Sequence, residues 1–111
     1  MIQININTFE LITFLKALQS IIKANKSLKK KEKEDISCEL IFTTKSLSLN
    51  TPLASFSFSN CWATSPCKYS ISFNYFNEII KSINKPDIEM FINDNTMKIG
   101  ITTFNIKRIL D

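Results

Sequence analysis

A strand–helix junction is written twice in this chain. Ile6-Asn7-Thr8-Phe9-Glu10-Leu11-Ile12 and Phe73-Asn74-Tyr75-Phe76-Asn77-Glu78-Ile79 share the order apolar residue, Asn, hydroxyl residue, Phe, polar residue. Each copy continues into a helix and then about three strands, so the chain reads as an internal repeat. Neither copy can cover its apolar helix face alone. The two must therefore close on a shared core, with two helices packed side by side on one face of a curved antiparallel sheet. The expected class is α+β, a pseudo-repeat of β-α-β-β-β, and residues 1–111 read as a single domain.

The periodicities place the elements. Ile2, Ile4 and Ile6 alternate with Gln3 and Asn5 as a half-buried strand. Asn7 is the expected cap of a helix from Thr8 to Ser27, with Glu10 placed to return the bond. Leu11, Ile12, Phe14, Leu15, Leu18, Ile21 and Ile22 form its apolar side, and Thr13, Lys16, Gln19, Ser20, Lys23 and Lys26 the opposite one. Lys29 to Asp35 has no apolar residue and reads as a loop. Ile36, Cys38, Leu40 and Phe42 mark a strand, Thr44-Lys45-Ser46 a turn, Leu47 and Leu49 its hairpin partner, and Phe56 and Phe58 a third strand. Asn60 to Lys68 either extends that strand through Trp62 or turns at Ser65-Pro66. Tyr69, Ile71 and Phe73 start the second copy. Asn74 is its expected cap, with Phe76, Ile79, Ile80 and Ile83 inside, Asn77, Glu78, Lys81 and Ser82 outside, and Lys85-Pro86 as the stop. Ile88 to Ile92, Met97 to Ile101 and Phe104 to Ile106, extending toward Ile109, close the copy, with Asn93-Asp94-Asn95 as a turn.

Chemistry is sparse. The chain has no His, and its only Gly is Gly100, so there is no ready general base and no glycine-rich phosphate loop. Cys38 falls on an apolar alternating face and reads as core. Cys61 and Cys67 flank Trp62 and Pro66, with a reactive or bridged pair as the alternative to inert thiols. Trp62 reads either as an exposed anchor or as a core or subunit contact, with the latter favoured. Asp87, Glu89 and Asp94 read as solvated carboxylates. No cofactor or metal is expected, and no enzyme activity. The start lacks a continuous apolar core, so no secretory leader is expected. No stretch is long and apolar enough for a membrane span, and the chain is expected to be cytoplasmic. The net charge is +4, and much of it lies in Lys23, Lys26, Lys29, Lys30, Lys31 and Lys33, opposed there by Glu32. This run reads either as a phosphate-meeting patch or as a solvated loop.

The order of elements resembles one domain of the DNA sliding clamps, nearest the bacterial beta-clamp type, over almost the whole chain. Ile2 to Ile22 resembles the start of the clamp domain. Leu47-Ser48-Leu49-Asn50-Thr51 is similar to the strand before a Thr-Asp-Leu-like step, although here Thr51-Pro52-Leu53 replaces the acid with proline. Ile71 to Ile83 resembles the second strand–helix unit, and Ile88 to Ile92, Met97 to Ile101 and Phe104 to Ile106 its closing strands. The resemblance implies a processivity factor of DNA replication, whose helices line a ring and turn basic side chains to the duplex. It implies six such domains per ring, hence a homo-oligomer joined through edge strands. No residue set matching the partner-motif pocket of that family is present.

With that architecture, Lys16 and Lys23 share a helix stripe that Lys26 continues, and Lys81 and Lys85 extend it if the helices lie side by side. The expected nucleic-acid-binding set is Lys16, Lys23, Lys26, Lys29, Lys30, Lys81 and Lys85, acting on double-stranded DNA through phosphates. The competing expectation is a stand-alone protein-binding adaptor, inhibitor or immunity-type regulatory protein that keeps the fold without binding DNA.

Overall fold

The computed structural model describes residues 1–109. Strand β1, Ile2–Asn7, leads into helix α1, Thr8–Ala24. The Asn7 side chain accepts from the Glu10 amide at 2.9 Å, satisfying one of the donors that a helix start leaves free. The helix stops at Ala24 rather than Ser27, because Asn25 leaves the helical region and its side chain takes the Ser27 amide at 3.0 Å. The segment expected as a loop instead contains a short helix, α2, Lys30–Glu34. Its charge hides no apolar face; it is held to the longer helices by bonds at its C-terminal end, from Lys33 and to the Glu34 carbonyl.

Four strands follow: β2, Ser37–Phe42; β3, Leu47–Asn50; β4, Ser55–Phe58; and β5, Cys61–Ala63. The second copy runs through β6, Cys67–Ser72; α3, Phe73–Lys81; β7, Asp87–Asn93; β8, Thr96–Ile99; β9, Thr102–Asn105; and β10, Lys107–Arg108. Strand β8 ends at Ile99, before the position expected for it. Gly100 takes a φ of 61°, and with Ile101 it forms a two-residue turn that leaves Ile101 99% exposed. Ile109 follows β10 without joining it as strand, although its amide donates to the Lys68 carbonyl at 2.9 Å.

The expected single sheet is two. One has the order β5-β1-β7-β8-β9 and the other β10-β6-β2-β3-β4, and every pairing is antiparallel. The orders map onto each other when β1 is exchanged with β6, β2 with β7, β3 with β8, β4 with β9 and β5 with β10. The repeats are thus interlocked: the first strand of each copy pairs with the second strand of the other. The residues after β4 do not prolong it, because Cys61 and Trp62 cross to the other sheet and pair with Ile6 and Asn5.

This symmetry also resets the register of the repeat. The cap of α3 is Ser72, whose hydroxyl accepts from the Tyr75 amide at 3.4 Å, and not Asn74. Thr8, Leu11 and Leu15 of α1 then correspond to Phe73, Phe76 and Ile80 of α3, and all six are buried. In that register Asn77 turns inward, 2% exposed, against the expectation that it faces out. The core is one cluster to which both helices and both sheets contribute, from Ile4, Leu11 and Leu18 to Phe42, Phe76 and Met90. Each helix also lays an aromatic ring on the fourth strand of its own repeat: Phe14 stacks on Phe58 at 5.0 Å, and Tyr75 meets Phe104 edge-on at 5.4 Å. No helix among the described residues is long and apolar enough to cross a membrane.

Candidate nucleic-acid interface

The buried line of α1 is Thr8, Leu11, Leu15, Leu18 and Ile22, which leaves Lys16 and Lys23 exposed. Gln19 lies between those two lysines, at i+3 from the first and i−4 from the second, so the three share a stripe. Lys81 Nζ of α3 donates to Gln19 Oε1 at 3.4 Å. The helices therefore meet side by side, and the α3 lysine joins the α1 row. Lys26 is exposed beyond the end of α1, and Lys29 and Lys30 are exposed at the start of α2.

Helix α2 ties the two longer helices together. Lys33 Nζ donates to the Lys23 carbonyl at 2.9 Å, where the last turn of α1 has carbonyls without partners. The Glu34 carbonyl accepts from Asn74 Nδ2 at 3.3 Å, at the start of α3. The basic segment is thereby fixed beside Lys23 at the end of α1 and beside the start of α3. A search for apolar periodicity misses this device, because its bonds run to side chains distant in sequence.

Lys85, in the connection from α3 to β7, lines a cleft of about 780 Å³ together with Ser82, Asn5, Asp87, Glu89 and Lys98. Two carboxylates share that cleft with it.

The outward face of the β5-β1-β7-β8-β9 sheet carries Trp62, 46% exposed, so this side chain is not part of the core. Phe9, in the first turn of α1, is 81% exposed and was expected only as part of the repeated junction. All three cysteines are free thiols. Burial, and then the neighbouring Glu39 charge, pushes Cys38 up to about 12. Burial and then Cys67 raise Cys61 to about 11, while burial, partly offset by Arg108, raises Cys67 to about 11. Thiolate is scarce in such sites near neutral pH, which argues against a reactive pair.

The edges of the sheets are unequal. Strands β5 and β10 are covered at the seams between sheets: the Ala63 amide donates to the Thr44 carbonyl at 3.3 Å, and the Ile106 amide, entering β10, donates to the Asn95 carbonyl at 2.8 Å. In each case the acceptor is in a hairpin turn of the opposite sheet. Strands β4 and β9 have a neighbour on one side only. The two-residue turn before β9 makes Ile99 and Thr102 a hydrogen-bonded pair, so by alternation the amides of Thr103 and Asn105 point outward. In β4 the Thr51 amide bonds the Ala54 carbonyl at 2.9 Å, and Ser48 and Ser57 hydroxyls meet at 2.7 Å as in a non-hydrogen-bonded pair. The same alternation turns the amides of Ser55 and Ser57 outward.

No protein-family model and no curated protein matches the sequence. Solved structures do match. The DNA polymerase III β subunit of Borrelia burgdorferi is 18% identical with a TM-score of 0.69, covering 98% of this chain and 30% of that one. The corresponding protein of Caulobacter crescentus is 16% identical with a TM-score of 0.68, covering 97% of this chain and 30% of that one. The Helicobacter pylori β clamp, solved with a DNA ligase peptide, is 16% identical with a TM-score of 0.66, covering 96% and 30%. This chain thus spans about 30% of the length of the clamps it matches. With its paired helices and two interlocked antiparallel sheets, the chain has the fold of a bacterial DNA polymerase III β sliding-clamp domain.

Proposed function

We propose that this chain is a non-enzymatic sliding-clamp module that self-assembles and contacts duplex DNA through its helix side. Lys16, Lys23, Lys26, Lys29, Lys30 and Lys81 make the contact, and Lys85 lies outside it on the cleft. The observation that carries this reading is the Lys81–Gln19 bond, which brings cations from both repeats into one row. Such a row suits phosphates, because each lysine acts as a point charge and no base edge need be read. Assembly is head to tail, β4 of one copy beside β9 of the next, since these edges differ and each offers two outward amides. Multi-angle light scattering tests the assembly, with an oligomer as the expected result. A salt titration of duplex binding tests the contact. Binding is expected to fall steeply with salt and to weaken on Lys16→Glu, Lys23→Glu and Lys81→Glu together; unchanged affinity in that variant would refute the DNA face.

A second reading is a stand-alone adaptor, inhibitor or immunity-type regulatory protein. Exposed Phe9, Trp62 and Ile101 favour it, since large apolar side chains at a surface suit protein contact. The Helicobacter pylori clamp binds a protein segment, a DNA ligase peptide. A monomer with no salt-dependent DNA binding is the outcome that selects this reading.

A further inference from the structure

The two repeats differ most where positive charge is densest. After α3, the connection to β7 carries one lysine, Lys85. After α1, the connection to β2 carries Lys26, Lys29, Lys30, Lys31 and Lys33 and folds α2, which has no counterpart in the second repeat. This insertion breaks the symmetry of an otherwise two-fold domain.

The insertion is built rather than trailing. Lys33 is spent on the Lys23 carbonyl, and the Glu34 carbonyl on Asn74. The Glu32 carboxylate accepts from the Lys29 amide at 3.1 Å and so caps the start of α2. Lys26, Lys29, Lys30 and Lys31 remain exposed, without an ion pair among the described residues. The segment's two large apolar side chains, Leu28 and Ile36, pack back on the core. A protein partner needs a buried apolar anchor at the centre of its contact, and this corner has none. A polyanion needs only closely spaced cations held in place, because adjacent duplex phosphates present closely spaced charge.

We infer that the α2 corner is the principal phosphate grip of the module: Lys26, Lys29, Lys30 and Lys31 hold the duplex backbone beyond the end of α1, and the helix row of Lys16, Lys23 and Lys81 is secondary. The inference rests on the DNA-contacting reading above. Four cations fall within a single turn-and-helix corner, against three distributed over two helices. A grip at one corner also makes the contact asymmetric, loaded on the first repeat.

The test compares two triple variants of the full chain, K29Q/K30Q/K31Q and K16Q/K23Q/K81Q, by fluorescence anisotropy on a labelled duplex of arbitrary sequence. Gln preserves helix propensity while removing charge. Each lost phosphate contact flattens the plot of log affinity against log salt by about 0.9. The α2 variant is expected to flatten it by roughly 2 to 3, and the helix-row variant by less than about 1. Equal flattening, or the reverse order, would overturn the inference while leaving DNA contact intact. Absence of duplex binding by the parent chain at about 50 mM salt, where phosphate contacts are strong, would remove both.

Discussion

If copies join through β4 and β9, a proline at an outward amide should block one end of each molecule and leave the other open. Thr103 of β9 and Ser57 of β4 are suited to this, because neither amide serves its own sheet and proline is tolerated at such edge positions. The outward groups at Thr103 and Asn105 can make about four backbone hydrogen bonds with those at Ser55 and Ser57. At about 0.5–1.5 kcal/mol net each, the backbone share of the contact is roughly 2–6 kcal/mol. Proline at Thr103 deletes one donor and leaves its acceptor unpaired, at a cost of about 1–3 kcal/mol, or roughly 5- to 150-fold in the dissociation constant. Thr103→Pro and Ser57→Pro should each associate far more weakly than the parent chain in sedimentation equilibrium. Mixed together they should form a one-to-one heterodimer that grows no further, because the intact β4 of the first meets the intact β9 of the second. Parent-like oligomers from either variant alone, or a mixture that stays monomeric where the parent assembles, would refute edge pairing. Thr103→Ala is the control that keeps the amide.

Further outcomes follow from the packing. Leu11→Ala empties a fully buried site between α1 and the sheets and should cost about 2–5 kcal/mol in urea unfolding; a loss under about 1 would contradict that burial. Cys38 is fully buried and its thiol is pushed from 9.0 up to about 12, so the folded state keeps the proton that the unfolded chain releases. Its contribution to stability is complete below about pH 9 and is lost as pH rises toward about 12, by roughly 1 kcal/mol or more for each pH unit over that range. Cys38→Ala should lack that portion of the alkaline slope, and identical slopes would show that Cys38 titrates normally. Asn74→Ala releases the Glu34 carbonyl and should speed amide exchange in Lys30–Glu34 while costing about 1 kcal/mol or less globally; unchanged exchange there would mean that Asn74 does not hold α2.

Much of the fold was legible in the residues. The alternation of Ile2, Ile4 and Ile6, and of Ile88, Met90 and Ile92, sorts inside from outside without any knowledge of neighbours, and those inward side chains are buried or, for Ile2, partly buried. The helical spacing from Leu11 to Ile22 did the same for α1 except at Ile21, expected inside but 37% exposed because it lies one position off the buried line of Leu15, Leu18 and Ile22. The site was legible in part. Lys16 and Lys23 follow from the period of one helix, whereas their union with Lys81 depends on how two helices pack. Of the core or subunit contact expected for Trp62, the structure excludes the core, because the face of β5 is set by its crossing to β1.

Local periodicity, capping chemistry and the doubled junction are carried by residues within a few positions of one another, so the sequence alone determined the two long helices, most strands and most core-facing side chains, and with them the resemblance to a clamp domain. The interlocked pairing of β1 with β7 and β2 with β6, the division into two sheets, the Ser72 cap that shifts the repeat register and buries Asn77, and the anchoring of α2 were decided only by tertiary structure. Each depends on a partner far along the chain, and hydrogen-bond and packing energies at that range leave no periodic trace in the residues themselves.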